Sequence, residues 1–187
     1  PMHLLKNFRW LAGTLFLVLC AAAPYAEWGR ALVSADHVLA SRAGGETLRA
    51  GGNAVDAVVA AALAAGVVQP AGSGLGGGGF AVFGGGTVDT QVLDFRESAP
   101  RTSTEAMFQG PGGEVIGDRS RVGGLAVAVP GESRGLAQLV EKHGRLSPRQ
   151  VATPAIKLAE KGFFVGPHLA RALGRTKAPE IQALFSR

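Results

Sequence analysis

Six of the eight residues from 72 to 79 are glycine. Glycine reaches positive φ at little cost and lets another backbone segment or a ligand come close. Ordering such a run costs much conformational entropy, so the fold must need this backbone shape. The apolar segment 53–66 before the run predicts a helix, and residues 80–83 after it predict a strand. Any function assigned to the glycine run must therefore fit a loop that follows a helix and precedes a strand.

The spacing of Gly72, Gly74 and Gly77 matches the dinucleotide-binding pattern G-x-G-x-x-G. That fingerprint needs a strand before the glycines and a helix after them, because the pyrophosphate binds at the helix N-terminus. Here the order is reversed, and no Lys-Ser or Lys-Thr follows, as it would in a phosphate-binding loop. A nucleotide-binding module is therefore disfavoured. A tight connection packed against neighbouring backbone stays open as a purely structural interpretation.

Composition excludes other classes of protein. The 187 residues are 47% hydrophobic and 18% charged, which indicates a globular domain or part of a larger one. The net charge of +5 comes from scattered Lys and Arg, and only one Tyr and two Trp are available for base stacking, so no nucleic-acid partner is expected. The four His residues lack metal-ligand spacing, and no G-x-S-x-G pattern occurs. We predict no metal and no cofactor.

Residues 1–26 are interpreted as a signal peptide. Lys6 and Arg9 precede the apolar segment 11–23, which ends in alanines and is short for a membrane span. We therefore expect an exported protein, periplasmic or secreted, without a stable membrane span. An uncleaved N-terminal anchor stays open. Cys20 is the single cysteine, so its loss with the signal would exclude disulfides and cysteine catalysis.

The rest of the chain alternates short strands and helices. Asn53 is a good N-cap for the second helix, and its apolar sequence predicts that this helix is buried all round. Ser147 opens a capping box, and Pro154 predicts a kink or a restart in the helix that follows. Residues 101–123 are predicted to be a loop. The predicted strands are 31–35, 80–83, 88–95 and 125–129, and the predicted helices are 37–50, 54–68, 134–142, 148–161 and 167–173.

Arg96 is the candidate binding residue. It follows the second strand of the predicted pair 80–83 and 88–95, where functional side chains are common. Its planar guanidinium suits a carboxylate ligand. A structural ion pair with Asp94 or Glu97 is the alternative. No residue of the chain stands out as a catalytic nucleophile next to a base.

Five segments together resemble the N-terminal part of the γ-glutamyltransferases, and the resemblance runs from about residue 32 to 173. They occur in the family's order and spacing, so they are much more specific together than singly. The segments are GGNAVDA (51–57), SGLGGGGF (73–80), LDFRESAP (93–100), AVPG (128–131) and PAIKLAEKG (154–162).

The resemblance implies an α+β fold of the N-terminal nucleophile hydrolase type, an αββα four-layer sandwich that this chain forms only in part. Residues 27–187 would be the N-terminal part of the large-subunit domain. Family members cleave themselves into large and small subunits, and the new N-terminal Thr attacks the γ-glutamyl amide of glutathione or a related compound. That Thr would lie beyond this chain. Arg96 matches the family residue that binds the α-carboxylate of the substrate.

Two function classes stay open. The first is a γ-glutamyltransferase that transfers the acyl group to water or to an amino acid, with the small subunit of the same precursor as its partner. The second is a non-catalytic remnant or binding protein that keeps the scaffold. On either interpretation the 187 residues alone are expected to lack catalysis.

Overall fold

The computed structural model describes residues 31–85, 88–176 and 183. The chain divides into two compact units, 1–32 and 33–187, and every helix and strand described belongs to the second unit. The predicted signal peptide lies outside the described residues. The elements found are α1 (Val38–Arg49), α2 (Ala54–Val68), β1 (Phe80–Gly85), β2 (Val88–Asp94), α3 (Glu132–His143), α4 (Pro148–Lys161) and α5 (Pro167–Arg175).

Four of the five helices begin within one residue of their predicted starts, whereas α3 begins at Glu132, two residues before the predicted Arg134. The Nδ1 atom of His37 accepts a hydrogen bond from the Leu39 amide at 3.1 Å, so His37 caps α1. Asn53 and Asp56 form a reciprocal capping box at α2, and Ser147 and Gln150 form one at α4. Each box satisfies backbone N–H groups that have no partner inside their own helix.

Helix α2 is the central element and packs against α1, α4 and α3. Small residues let α1 and α2 cross closely: a β-carbon at Gly44 would lie 2.8 Å from the carbonyl oxygen of Ala57. The prediction that α2 is buried all round is wrong, because Val58 is 56% exposed. Its outer side faces a groove, and no described helix covers it. Two buried clusters surround the inner side, one of alanines (Ala40, Ala43, Ala64, Ala155) and one of larger side chains (Val59, Ala60, Leu136, Leu139, Val140, Val151).

Strands β1 and β2 form an antiparallel hairpin with Phe80 opposite Asp94 and Gly85 opposite Val88. A register shift lies between Phe83 and Gly85. One face of the hairpin packs on the larger cluster through Ala81, Phe83, Leu93 and Phe95. The other face leaves Phe80, Val82 and Val92 exposed. Because side chains alternate between the two faces of a strand, the hairpin has one apolar face that packs on the core and a second apolar face that is exposed.

Two strand predictions are wrong. Residues 31–35 form no regular element, because their groups are used locally: Val33 packs against Gly44, and the Ala35 amide donates to Ser41 Oγ at 2.9 Å. Residues 125–129 contain a 3₁₀ turn, Gly124–Ala126, and pair only through Val129. The Ser98 and Val129 backbones exchange hydrogen bonds of 3.2 and 2.8 Å, a single bridge too short to form a strand.

Helix α4 is continuous through Pro154, so the predicted restart is not found, and the alternative, a kink, stays a prediction. Val151 and Ala155 are buried on either side of the proline, so packing holds the helix together.

Residues 101–123 form turns with one bridge between Gln109 and Val115, which agrees with the predicted loop. In the part of the chain that is described, no helix is long and apolar enough to cross a membrane.

Candidate functional site

The glycine loop, residues 72–79, runs against the end of β2 at backbone contact distance. A β-carbon at Gly78 would lie 2.5 Å from the Phe95 carbonyl oxygen and 2.7 Å from the Glu97 nitrogen. Gly79 and Phe95 exchange backbone hydrogen bonds of 3.4 and 2.9 Å. Only glycine fits at position 78 without displacing the backbone on both sides of Arg96.

The N-terminus of α3 holds the glycine loop from the other side. The amides of Gly131 and Glu132 both donate to the carbonyl oxygen of Gly77, each at 3.0 Å. Ser133 Oγ donates to the Leu75 carbonyl at 3.2 Å. The loop therefore satisfies orphan N–H groups at the start of α3, which has no side-chain cap. The Pro-Gly sequence ahead of α3 aims these amides at the loop.

A cleft of about 440 Å³, the Arg96 cleft, lies between the loop, the end of β2 and α3. Its three ionisable side chains are Arg96, Glu97 and Glu132, and its other walls are mostly loop backbone. The Arg96 side chain is 59% exposed, and its Nε lies 3.4 Å from Glu97 Oε2. The Arg96 amide donates to Asp94 Oδ1 at 2.9 Å. Of the two acidic neighbours, Glu97 forms an ion pair with the Arg96 side chain, and Asp94 contacts only the Arg96 backbone. Arg96 also lines the cleft.

Glu132 was not among the sequence candidates. It is 7% exposed and lines the Arg96 cleft together with Gly74. Burial raises the pKa of Glu132 above its usual value, the backbone amide of Gly74 opposes this, and the charge of Glu97 adds to the rise. The predicted helix begins at Arg134, two residues later than the observed one, so sequence reasoning included Glu132 neither in the helix nor in the site.

Two apolar grooves adjoin the cleft. The hairpin groove, about 730 Å³, lies between the outer side of α2 and the hairpin and includes Val58, Phe80 and Val82. The helix groove, about 430 Å³, lies between α2, α4 and Leu75, and Glu132 forms part of its wall. Among the described residues no group of three His, Cys, Asp or Glu is placed to hold a metal ion. Arg96 is the one cationic side chain among the residues that line the cleft, and none of those residues is a nucleophile paired with a base.

Comparison with known proteins gives consistent matches. The gamma-glutamyltranspeptidase family model matches residues 40–187. A glutathione hydrolase proenzyme of Bacillus subtilis strain 168 is 45% identical over 159 residues, or 80% of this chain. Scoloptoxin SSD14 of Scolopendra dehaani is 42% identical over 162 residues, or 82% of this chain. A solved gamma-glutamyltranspeptidase of Helicobacter pylori aligns with a TM-score of 0.76 at 40% identity, over 83% of this chain and 44% of that one.

The fold is that of the N-terminal nucleophile hydrolases, and the described residues form part of it, as the predicted α+β class required. Within that class the chain belongs to the γ-glutamyltranspeptidase family. It spans 27% of the length of the Bacillus relative and 27% of the length of the Scolopendra relative. The resemblance inferred from the five sequence segments is confirmed. The role of Arg96 stays a prediction.

Proposed function

We propose that this chain supplies the substrate α-carboxylate site of an enzyme that cleaves γ-glutamyl amides, with glutathione or a related compound as substrate. The observation that carries the proposal is the placement of Arg96 on a cleft formed by the glycine loop. A free α-carboxylate distinguishes a γ-glutamyl compound from an ordinary amide, and a guanidinium binds it through two parallel hydrogen bonds. The curated relatives named glutathione hydrolase support this substrate class.

The acyl transfer itself needs a nucleophile from outside these residues. Arg96, Glu97 and Glu132 can position and polarise a substrate, but none of them is an activated nucleophile. We propose that the N-terminal Thr of a small subunit, made by cleavage of a common precursor, attacks the γ-glutamyl carbonyl. Arg96 would hold the far end of the substrate and so orient the amide for attack.

We propose that the small subunit covers the hairpin groove. Phe80, Val82 and Val92 are 62%, 70% and 66% exposed on the outer face of a sheet with only two described strands. Further strands would satisfy the edges of this sheet and bury its apolar face. A cross-link between a cysteine placed at Val82 and the small subunit would support this arrangement. Cross-linking from an exposed control such as Asp118 alone would contradict it.

Export is proposed from residues 1–26, whose basic start and apolar centre are typical of a signal peptide. N-terminal sequencing of the protein recovered from the periplasm and the medium tests this. A mature chain that begins near residue 27 supports export. Retention of residues 1–26 in the cytoplasmic fraction contradicts it.

The Arg96→Lys substitution tests the function in the full-length protein. Lysine keeps the charge but loses the planar fork, so we expect KM for a γ-glutamyl anilide to rise at least about tenfold. Arg119→Lys, in an exposed turn, is the matched control and should leave KM unchanged. An unchanged KM and kcat in Arg96→Lys would contradict the role of Arg96. If the control and the wild type bind L-glutamate but release no product from the anilide, a carboxylate-binding protein without catalysis is the better interpretation.

A further inference from the structure

Glu132 occupies a position that helix capping alone does not explain. It lies on the wall shared by the Arg96 cleft and the helix groove, and its backbone amide donates to the Gly77 carbonyl oxygen at 3.0 Å. Its carboxylate Oε2 lies 3.6 Å from the position that a β-carbon on Gly77 would occupy, so both its backbone and its side chain face the glycine loop. The loop in turn forms most of the Arg96 cleft.

Two carboxylates converge on Gly77 in the Arg96 cleft. Glu132 Oε2 and Glu97 Oε1 each lie 3.6 Å from the position that a β-carbon on Gly77 would occupy. Glu97 is paired with the Arg96 Nε, whereas Glu132 forms no ion pair with any described residue. An anionic ligand on Arg96 would therefore meet a second, uncompensated negative charge when Glu132 is ionised.

The other surroundings of Glu132 carry no compensating charge. In the helix groove α2 presents Ala62, Leu63, Gly66 and Val67, and α4 presents Ala152, Ala155, Ile156 and Ala159. The glycine loop contributes no ionisable group. The charged groups that face Glu132 in the described structure are thus Arg96 and Glu97 on the other side of the cleft. At short range in such a partly buried site, a single charge alters ligand affinity severalfold.

We propose that Glu132 is a positioning residue for the Arg96 cleft: its backbone amide holds the glycine loop at Gly77, and ionisation of its carboxylate beside that loop weakens the binding of a carboxylate ligand. The proposal rests on the carboxylate site proposed above and adds its regulation by pH. Glu132 is neutral at the acidic end of its titration, and the cleft then has its greatest affinity for an anion. As the pH rises through the raised pKa, Glu132 becomes charged and the affinity falls.

The test is the pH dependence of L-glutamate binding to the full-length protein, measured by calorimetry from about pH 4.5 to 8.5, a range that spans a raised carboxyl pKa. Glu132→Gln keeps the backbone amide that binds Gly77 and removes the charge. Glu141→Gln makes the same change on the same helix at an exposed position and is the matched control. Ionisation of L-glutamate itself affects all variants equally, so the difference between the two profiles reports Glu132 alone.

We expect the wild type and Glu141→Gln to lose about threefold or more in affinity as the pH rises, and Glu132→Gln to lack this loss. Parallel profiles for all three proteins would overturn the proposal, because a purely structural Glu132 would not change the pH dependence. If Glu132→Gln does not fold, Glu97→Gln serves instead. Burial is the main cause of the raised pKa of Glu132, and this variant removes the smaller contribution from the Glu97 charge, so the fall in affinity should move to lower pH, and a fall that stays at the same pH overturns the proposal.

The outcomes separate this proposal from the function on which it rests. If Arg96→Lys weakens L-glutamate binding while Glu132→Gln leaves its pH dependence intact, only the role of Glu132 fails. If the wild type does not bind L-glutamate at any pH, the carboxylate site and the role of Glu132 both fail.

Discussion

Helix α2 has an inner side that other helices cover and an outer side that they leave open, and its apolar sequence does not show which side is which. On the inner side, α1, α3 and α4 cover it, and Ala60 and Ala64 are fully buried. On the outer side, Val58 faces the hairpin groove and remains more than half exposed. Both sides carry the same residue types, alanine and valine. The burial of an apolar helix is therefore decided by what lies opposite it, and the inner and outer sides should respond differently to substitution.

The largest effect is expected at Asp56 on the inner side. Its carboxylate is fully buried and accepts the amides of Asn53 and Arg145, each at 2.9 Å. Asp56→Ala leaves these two part-buried amides without acceptors and should lower the free energy of unfolding by about 3 kcal/mol. Urea denaturation of the full-length protein measures this. Asp118→Ala, at an exposed turn, is the control and should cost less than about 0.5 kcal/mol. Equal losses would show that the inner side does not depend on this carboxylate.

The next effect is expected in the glycine loop, which lines the Arg96 cleft. Gly78→Ala places a methyl group against the Phe95 and Glu97 backbone, and should cost about 1–3 kcal/mol and displace Arg96. Gly76→Ala meets no atom within 4 Å and serves as the control in the same loop. L-glutamate affinity should fall in the Gly78 variant and persist in the Gly76 variant. Binding that survives in both would mean that the loop does not shape the cleft.

The smallest effects are expected from two adjacent glycines in α1. Gly44→Ala brings a methyl group 2.7 Å from Val33 and 2.8 Å from the Ala57 carbonyl, and should cost about 1–2 kcal/mol. Gly45→Ala meets only the Arg49 side chain at 3.6 Å, and should gain about 0.5 kcal/mol because alanine favours the helix. Neither change should alter L-glutamate affinity, since α1 does not line the Arg96 cleft. Shifts of the unfolding midpoint with the same sign in both variants would contradict the close crossing of α1 and α2.

Local chemistry predicts much of this fold. Asn53 and Ser147 indicate their helix starts because capping depends on residues within one turn. The predicted strand at 125–129 fails because a strand needs a partner, and only Val129 finds one. The restart predicted at Pro154 does not occur, because burial on both sides of the proline outweighs the local penalty.

The site is less predictable than the fold. Arg96 is recognisable from its place after a strand and from the family segments. Glu132 is not, since the predicted helix begins after it, at Arg134, and only the tertiary approach of the glycine loop brings it to the cleft. The open outer side of α2 is also invisible in sequence, because an apolar helix looks the same whether or not another element covers it.

The Asp56 carboxylate has a further consequence for the order of folding. Its hydrogen bond to the Arg145 amide joins residues 89 positions apart. The glycine loop, Arg96, Glu97 and Glu132 all lie inside the chain loop that this contact closes. Closing a loop of that length carries an entropy cost that local helix contacts do not. The capped helices can therefore form early, whereas the Arg96 cleft takes its shape only when the contact between Asp56 and Arg145 closes the chain segment that contains it.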